Sequence, residues 1–259
     1  MIYFASDFHL GIPSWHSSSA KEREGRIMRW LDLVAKDEKL KAVYLVGDIF
    51  DFWFEYSMVV PKGYIRFLGK LAELSDRGVE LHLFTGNHDV WMFDYFEKEL
   101  NAKVYRDPIE ITLGEKRFFI GHGDGLGPGD HGYKFIKKIF RNRFCQWLFS
   151  CLHPDLGARL ATFFSSSSRA AQAEHEPFLG ADKEWLIIFA NEKIKQNPEI
   201  DYFIFGHRHL ALDLLLQNGR SRYINLGEWF SGGNYAMFDG IELRLIPFEA
   251  PIESCPDQS

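Results

Sequence analysis

The chain has 259 residues, of which 46% are hydrophobic and 25% are charged, and its formal net charge is -6. These fractions exclude an intrinsically disordered, collagen-like or disulfide-scaffold protein. The acidic balance argues against a nucleic-acid partner bound through a globally basic surface, and no protein partner is predicted. No stretch approaches about 18 consecutive apolar residues, so we expect no transmembrane helix.

Cysteine content and the start of the chain indicate the compartment. The three cysteines, Cys145, Cys151 and Cys255, fit neither a zinc ribbon nor a CxxC redox pair. Residues 1–6 already read as an apolar strand, and the first chemical motif begins at Asp7. This leaves no room for a cleavable signal peptide, so we expect a cytoplasmic protein with reduced thiols.

Strands and helices are predicted to alternate through the first half of the chain. Period-2 and β-branched runs predict strands at 1–6, 41–47, 79–85, near 104, 109–113 and 117–121. Helices are predicted at 21–35, 64–76 and 91–100, and Gly78 follows the second where a C′ glycine belongs. This alternation is typical of a mostly parallel sheet covered by helices.

The alternation stops after residue 124. Helices are predicted at 133–150, 156–164, 167–174 and 183–195, and strands resume at 201–205, 212–216, 222–225, 235–238 and 242–246. Segment 125–180 carries seven Lys or Arg and four Asp or Glu, so its charge is +3 and the rest of the chain carries -9. We therefore predict an α/β core at 1–124 and 181–249, a basic helical cap at 125–180 and a frayed tail at 250–259.

Five short motifs follow predicted strands and contain half of the ten histidines. They are Asp7-Phe8-His9, Gly47-Asp48-Ile49-Phe50-Asp51, Gly86-Asn87-His88-Asp89, Gly121-His122-Gly123-Asp124 and Gly206-His207-Arg208-His209. Because ligands of α/β sheets bind beyond the carboxyl ends of the strands, we expect one shared site. Carboxylate, imidazole and amide donors without thiolate suit Mn, Fe, Zn or Mg, and their number fits two metals about 3.5–4 Å apart.

In this order the motifs resemble those of the calcineurin-like metallophosphoesterase superfamily, from Asp7 to at least His209. The resemblance implies a four-layer αββα sandwich of two mixed sheets and two divalent metals. Mn²⁺ is the usual choice, and Mg²⁺, Fe and Zn²⁺ stay open. One metal would be held by Asp7, His9, Asp48 and His209, with Asp48 bridging to a second metal held by Asn87, His122 and His207.

The same resemblance implies a mechanism. Hydroxide between the two metals would attack phosphorus. His88 would stabilise the phosphorane or protonate the leaving oxygen, and Asp51 would orient His88.

The opening Phe4-Ala5-Ser6-Asp7-Phe8-His9-Leu10, the stretch from Gly47 to Trp53 and the helical insertion are similar to the UDP-2,3-diacylglucosamine pyrophosphohydrolases of lipid A biosynthesis. The similarity implies cleavage of a nucleotide-linked glycolipid to UMP and 2,3-diacylglucosamine 1-phosphate. It also implies a cap that holds acyl chains and a peripheral location on the inner face of the inner membrane. The substrate contacts carried over are Asn87, His88, Asp130, Tyr133, Ser168, Arg169, Gln172 and His207.

The predicted helix at 133–150 has an apolar side and a basic side. Phe135, Ile136, Ile139, Phe140, Phe144, Trp147 and Leu148 form the first, and Lys134, Lys137, Lys138, Arg141 and Arg143 form the second. Basic amphipathic helices with Trp and Phe suit an anionic membrane surface. The alternative is a helix whose apolar side packs on the core while its lysines are solvated.

Two other functions stay open on the sequence. A general metallophosphodiesterase or nucleotidase is favoured by His88, because the best-known lipid A enzymes of this type have arginine there. A non-catalytic scaffold with the same fold is disfavoured, because all seven ligand positions carry suitable donors.

Overall fold

The computed structural model describes residues 1–11, 14–15, 18–128, 131–172, 178 and 180–248, with only the backbone at 14, 15, 18, 131 and 164–172. The strands are β1 (Ile2–Ala5), β2 (Ser14–Trp15), β3 (Ser18–Ser19), β4 (Ala42–Val46), β5 (Glu80–Phe84), β6 (Lys103–Tyr105), β7 (Ile109–Leu113), β8 (Lys116–Ile120), β9 (Tyr202–Phe205), β10 (Ala211–Leu215), β11 (Arg222–Leu226), β12 (Asn234–Phe238) and β13 (Leu243–Pro247). The helices are α1 (Ala20–Ala35), α2 (Ile65–Asp76), α3 (Tyr95–Leu100), α4 (His131–Arg141), α5 (Arg143–Ser150), α6 (Pro154–Gln172) and α7 (Trp185–Gln196).

Two mixed sheets form the centre of the molecule. The first has the order β13-β12-β1-β4-β5-β6, in which β1, β4, β5 and β6 are parallel and β12 and β13 are antiparallel additions. The second has the order β10-β11-β9-β8-β7, with parallel β11, β9 and β8 between antiparallel edges. Strands β2 and β3 form a separate small hairpin.

Apolar clusters join these sheets to the helices in four layers. One cluster packs Trp30 of α1 and Phe67 of α2 on the first sheet. A second cluster, which includes Tyr44 and Phe118, fills the space between the sheets. A third packs Leu186 of α7 on the second sheet. The predicted αββα sandwich of two mixed sheets is therefore confirmed.

Helix α1 illustrates how the sequence defines one of these layers. Ser19 and Glu22 form a capping box, in which Ser19 Oγ accepts from the Glu22 N–H and Glu22 accepts from the Ser19 N–H. The helix buries one stripe at helical spacing: Arg23, Ile27, Trp30, Leu31 and Val34. Burial of each large apolar side chain in this stripe contributes about 1.5–3 kcal/mol.

Two predicted helices have the wrong extent because polar side chains cap the backbone inside them. The helix predicted at 91–100 begins only at Tyr95, since Glu55 Oε2 accepts the N–H groups of residues 93–95. The helix predicted at 133–150 is two helices. Asn142 separates them because its Oδ1 accepts the N–H groups of Phe144 and Cys145 at 2.9 and 3.2 Å.

The cap differs from its prediction in a further respect. The separate helices predicted at 156–164 and 167–174 are one helix, α6, which runs through the serine run. No helix in the described part of the chain combines the length and apolar character needed to cross a membrane. The predicted tail at 250–259 lies outside the described residues.

Candidate metal centre

The loops that follow β1, β4, β5, β8 and β9 meet at one end of the two sheets. Backbone hydrogen bonds join them: His9 N donates to Asp48 O at 2.9 Å, and Gly206 N donates to His122 O at 3.0 Å. All five motifs found in the sequence lie on these loops. The parallel strands thus deliver the seven predicted ligands to one place, as expected for the carboxyl ends of α/β strands.

The side chains form three overlapping groups whose possible ligand atoms lie within 4.8 Å of one another. The groups are Asp7, His9 and His209; His9, Asp48 and His88; and Asp48, His122 and His207. We call the first and the last of these ligand group one and ligand group two. Asp48 Oδ2 lies 3.7 Å from His9 Nε2 and 3.2 Å from His122 Nε2, so its carboxylate faces both groups.

The distances between donor atoms fit divalent metals. In group one, His209 Nε2 lies 3.2 Å from His9 Nε2 and 3.3 Å from Asp7 Oδ1. Beside group two, Asn87 Oδ1 lies 2.9 Å from His207 Nδ1 and 3.3 Å from His122 Nε2. Donors about 2.1 Å from one metal and at right angles to each other are separated by roughly 3 Å. The donor set and its spacing therefore suit a metal centre.

The backbone is strained at the same residues. Seven non-glycine residues in the described chain have positive φ, and five of them are predicted ligands: Asp7, His9, Asp48, His207 and His209, with φ between 43° and 67°. The left-handed region costs a non-glycine residue about 1–2 kcal/mol. Such strain concentrates at functional sites, where the surrounding structure enforces it.

Two glycines let the motifs approach each other closely. A Cβ atom on Gly86 would lie 2.2 Å from Asp48 Oδ1, and one on Gly206 would lie 2.4 Å from Asp7 Oδ2. Any side chain at these positions would displace a carboxylate of the candidate centre. The glycines of the Gly-Asn-His-Asp and Gly-His-Arg-His motifs are thus required by the packing of the acids.

His88 and Asp51 lie beside the ligand groups. His88 Nδ1 is 3.3 Å from Asp51 Oδ1 and 3.2 Å from the Asp51 carbonyl oxygen, and its ring centroid lies 4.8 Å from that of His9. The structure thus brings together the pair predicted from the sequence. Their catalytic roles stay predictions.

Asp89 joins two of the motifs. Its Oδ1 accepts the Gly86 N–H at 2.7 Å, and its Oδ2 accepts the N–H groups of Ile49 and Phe50 at 2.8 and 3.3 Å. Burial, together with the charge of Asp48, raises the pKa of Asp89 to about 7. Asp89 therefore fixes the Asn87 loop against the Asp48 loop.

Charge is concentrated between the carboxylates and imidazoles. Burial disfavours the charged form of His122, but the adjacent Asp48 outweighs it and raises the pKa of His122 to about 10. Burial lowers the pKa of His207 to about 4. Burial disfavours the charged form of Asp7, but the nearby imidazoles of His209 and His9 outweigh it and hold the pKa of Asp7 low. Both acidic donors are thus ready to bind a cation as carboxylates.

Comparison with known proteins agrees with this geometry. The family model described as calcineurin-like phosphoesterase matches residues 1–211. The chain belongs to this family. A protein of Porphyromonas gingivalis named UDP-2,3-diacylglucosamine hydrolase is 41% identical over 96% of this chain and 97% of its own length. Proteins of the same name from Pseudomonas putida and Haemophilus influenzae are 29% and 28% identical, covering 96% and 90% of this chain and 99% and 92% of their own lengths.

Within this calcineurin-like phosphoesterase, Arg208 has a clear neighbour. Its Nε donates to Oε1 of the buried Glu184 at 2.9 Å, and the next residue, Trp185, places its ring edge-on to His207 with centroids 5.7 Å apart. The sequence alone leaves the role of Arg208 open. The structure shows it connecting the His207 turn to the start of α7.

The predicted substrate contacts of the cap are described only in part. Tyr133 lies on α4, and its hydroxyl donates to Asp124 Oδ2 at 2.5 Å. Asp130 lies outside the described residues. Ser168, Arg169 and Gln172 lie on α6, where only the backbone is described. Their contacts with substrate stay predictions.

The orientation of the cap helices contradicts the alternative in which the apolar side packs on the core while the lysines are solvated. Lys134 Nζ donates to Gly127 O at 2.6 Å, Lys137 Nζ lies 2.5 Å from Asp124 Oδ2, and Arg141 Nη1 lies 2.9 Å from Asp107 Oδ1. The basic side of α4 therefore packs on the core. The exposed large apolar side chains of α4 and α5 are Phe135, Ile136, Ile139, Phe144, Trp147 and Leu148.

The reason for this orientation is the supply of acceptors on the core. Asp124 is buried, and its carboxylate needs a donor, which Lys137 and Tyr133 provide. One apolar contact of the cap with the core is an aromatic cluster, in which Trp91 stacks near Phe149 and donates its Nε1–H to Phe140 O. The remaining apolar side of α4 and α5 faces outward.

Proposed function

We propose that the chain hydrolyses the diphosphate of UDP-2,3-diacylglucosamine to UMP and 2,3-diacylglucosamine 1-phosphate, a reaction of lipid A biosynthesis. The observation that carries the proposal is the 41% identity, over almost the full length of both chains, to a protein named UDP-2,3-diacylglucosamine hydrolase. The candidate metal centre supports it, because cleavage of a phosphoric anhydride is chemistry that paired divalent metals perform.

In this proposal two divalent metals, most suitably Mn²⁺, occupy the centre. Ligand group one with Asp48 would hold the first metal, and ligand group two with Asn87 would hold the second. Such metals supply a nucleophile at neutral pH and offset the charge of the phosphate oxygens. Asp48 would be the most important single ligand, because its carboxylate lies close to the imidazoles of both groups.

The same proposal assigns to His88, with Asp51 as its partner, the donation of a proton or hydrogen bond to the leaving oxygen. Asp51 lies against Nδ1 of His88, so it fixes the tautomer and the ring orientation. His88 Nε2 is then the atom that meets the leaving phosphate oxygen, where it donates a proton or a hydrogen bond. Asn87 and His207 would contact the same diphosphate.

The cap, which we propose to be a substrate-selecting unit at 125–180, would hold the acyl chains and contact the membrane. Helix α6 exposes further apolar side chains, Leu156, Leu160 and Phe163, which we propose to form one patch with those of α4 and α5. Exposed apolar patches of this kind mark lipid or protein interaction sites. We propose that this patch enters the inner face of the inner membrane, with the exposed Lys138 and Arg143 near anionic headgroups.

One assay tests the substrate. Purified protein with Mn²⁺ is given UDP-2,3-diacylglucosamine, UDP-glucose, a cyclic nucleotide and an activated aryl phosphodiester in parallel. We expect the diacylated nucleotide to have the highest kcat/KM by at least about 10²-fold, because remote acyl binding positions the diphosphate. Equal rates on lipid and non-lipid diphosphates would contradict the proposal.

A general phosphodiesterase is the second candidate function, and His88 favours it. Histidine at this position is the generic superfamily residue, whereas the best-known lipid A enzymes carry arginine. In the same assay this function would give the aryl phosphodiester and the cyclic nucleotide the higher kcat/KM values.

Membrane contact is tested with vesicles. A double change, Phe144→Ser with Trp147→Ser, removes two exposed aromatic rings of α5. Leu215→Ser, on edge strand β10 of the core, is the control because Leu215 is also well exposed. We expect the double variant to lose most of its sedimentation with phosphatidylglycerol vesicles and the control to keep it. Equal sedimentation of all three proteins would remove the membrane from the proposal.

A further inference from the structure

Phe230 forms an aromatic wall beside ligand group one. Its ring stacks on the His9 ring with centroids 5.3 Å apart and an interplanar angle of 28°, and it meets the His209 ring at 5.8 Å and 60°. Phe230 is only 1% exposed, and it lies on the loop between β11 and β12, outside the five motifs. Two of the three side chains of group one therefore pack on a residue that the motifs do not include.

Arg26 of α1 holds the backbone of this loop. Its Nη1 donates to the carbonyl oxygens of Trp229, Phe230 and Gly232 at 2.9, 3.2 and 2.9 Å. Hydrogen bonds from a charged donor are stronger than neutral ones, so one guanidinium holds three carbonyl groups of the same loop. Helix α1 thus holds the backbone of Phe230 in place through Arg26.

Arg23, one helical turn before Arg26, connects the wall to the ligand itself. Its guanidinium carbon lies 5.1 Å from the centre of the Phe230 ring, and its Nη2 donates to the carbonyl oxygen of His9 at 3.3 Å. Arg23 is buried. It therefore contacts both the wall and the backbone of a strained residue, since His9 has a φ of 43°.

We propose that Phe230, Arg23 and Arg26 are positioning residues that set the metal affinity of ligand group one, and of that group selectively. The inference rests on the proposed metal binding. The imidazoles of His9 and His209 must keep one orientation for both nitrogens to face the same ion, and the wall removes their other orientations. Loss of such supporting contacts lowers metal affinity by about 10–100-fold.

Selectivity follows from the different support of group two. His207 meets the ring of Trp185, on α7, and His122 Nδ1 lies 2.9 Å from the carbonyl oxygen of Val46. Neither contact involves α1 or the β11–β12 loop. The imidazoles of the two groups thus pack on different residues, so we expect that the groups can be weakened one at a time.

The test is a titration of the metal-free protein with Mn²⁺ alone, followed by equilibrium dialysis. We expect two bound ions in the wild type. Phe230→Leu and Arg26→Gln should each weaken one ion about 10-fold and leave the other within about twofold. Arg26→Lys should recover part of the loss, because an ammonium can still donate to the carbonyls. Arg29→Gln, an exposed change on the same helix, is the matched control and should leave both ions unchanged.

A second arm identifies which ion is affected. In a His209→Ala background, in which group one has lost one of its three ligands and should no longer hold its ion tightly, Phe230→Leu should have no further effect on the remaining ion. In a His207→Ala background its effect should persist. Trp185→Leu should give the opposite pattern.

The outcomes separate this inference from the proposed function. Two ions bound by the wild type and unchanged by Phe230→Leu, Arg26→Gln and Arg26→Lys would overturn the inference alone. Equal weakening of both ions, with a lower Tm, would also overturn it, because that is the signature of a general structural role. A wild type that binds no Mn²⁺ would overturn both.

Discussion

The amphipathic helices of the core and the cap differ in whether their apolar sides are buried or exposed. Helix α1 of the core buries Ile27, Trp30 and Leu31 under the first sheet. Helix α5 of the cap buries none of its residues, and its Phe144 and Trp147 are exposed. Both helices are amphipathic in sequence. An amphipathic pattern thus predicts two faces, but the face that packs inward depends on what the neighbouring surface offers.

The two regions also use charge differently. In the core, acidic and imidazole groups converge on each other at the ends of strands, where their mutual distances fit metals. In the cap, the basic groups of α4 bind acceptors on the core, and Lys137 reaches Asp124, two residues from the predicted ligand His122. We therefore expect that catalysis by the core and the proposed substrate selection by the cap can be altered independently. The experiments below test this expectation.

The largest effect is expected at the centre of the core. Asp48→Asn removes the one negative oxygen donor that faces both ligand groups, so both metals should bind weakly. Since metals contribute several kcal/mol to transition-state stabilisation, turnover of every substrate should fall by roughly 10³-fold or more. Elemental analysis and kcat/KM on a lipid and a non-lipid diphosphate provide the check. Tight binding of two metals with near-normal turnover would remove Asp48 from the bridging position.

His88→Ala comes next. As a residue that acts on the leaving oxygen, its loss should lower kcat by about 10²–10⁴-fold while the metal content stays at the wild-type level. Loss of metal would instead identify His88 as a ligand. His88→Arg is the informative partner variant, because partial activity would show that positive charge is sufficient without proton transfer.

The cap is tested by its removal. Replacement of residues 128–178 by a short Gly/Ser linker keeps all seven predicted ligands, and the cost of closing a loop grows slowly with its length. We expect hydrolysis of an activated aryl phosphodiester to persist. Turnover of the diacylated nucleotide should fall by about 10²-fold, because the acyl chains no longer position the diphosphate.

The aromatic cluster that joins cap and core becomes exposed in this variant, so a milder change accompanies it. Phe144→Ser with Trp147→Ser leaves the joint intact. An unchanged ratio of lipid to non-lipid turnover in both variants would assign substrate selection to the core.

The sequence predicts the fold and the location of the site well, because both depend on local patterns. Buried strands of the sandwich and the Asp and His residues that follow them are adjacent in sequence, as at Ala42–Val46 and Asp48. Supporting residues are harder to find. Phe230 packs on His9 and His209, and Arg26 binds the loop that carries Phe230, only once the chain has folded. Neither residue belongs to one of the five motifs, so the sequence pattern does not identify them.

The orientation of the cap is likewise a property of tertiary contacts. The sequence shows that Lys134, Lys137 and Arg141 share one side of α4. It does not show that Asp124 and Asp107 of the core, and Gly127 O at the start of the cap segment, lie within reach of these side chains. The break at Asn142 has a local cause, since Asn is a strong N-cap residue, and a search for caps within the long predicted helix would have found it.

Variants of two neighbouring lysines, Lys137 and Lys138, test how strongly one ion pair attaches the cap to the core. Lys137 binds Asp124, whereas Lys138 is exposed. Lys137→Gln should lower kcat/KM for the diacylated nucleotide several-fold and speed limited proteolysis of the cap, because it leaves a buried carboxylate with a weaker partner. Lys138→Gln is the matched control and, with the substrate in neutral detergent micelles that contain no anionic lipid, should change neither. Identical behaviour of the two variants would mean that the Lys137 contact does not hold the cap.

The smallest effect concerns stability and again contrasts the core with the cap. His82 lies on β5, is only 2% exposed, and is stacked between Tyr44 and Tyr105 at ring distances of 4.0 and 5.8 Å. Burial, assisted by Lys103, lowers the pKa of His82 to about 4 from 6.5. The folded chain therefore resists a proton that the unfolded chain accepts, so stability is retained above pH 6.5 and falls as the pH drops towards 4.

His82→Phe keeps an aromatic ring in the stack and removes the titrating group. In urea unfolding with a chelator present, the wild type should lose more stability than this variant between pH 7 and pH 4.5. His153→Phe, at a 74% exposed position beside α6 of the cap, is the matched control and should lose as much as the wild type, because it leaves His82 in place. Parallel pH profiles for the wild type and His82→Phe would show that the stacked imidazole accepts a proton inside the core. The core at this end of the first sheet would then not exclude a proton, and the expected difference between the buried core and the exposed cap would be absent there.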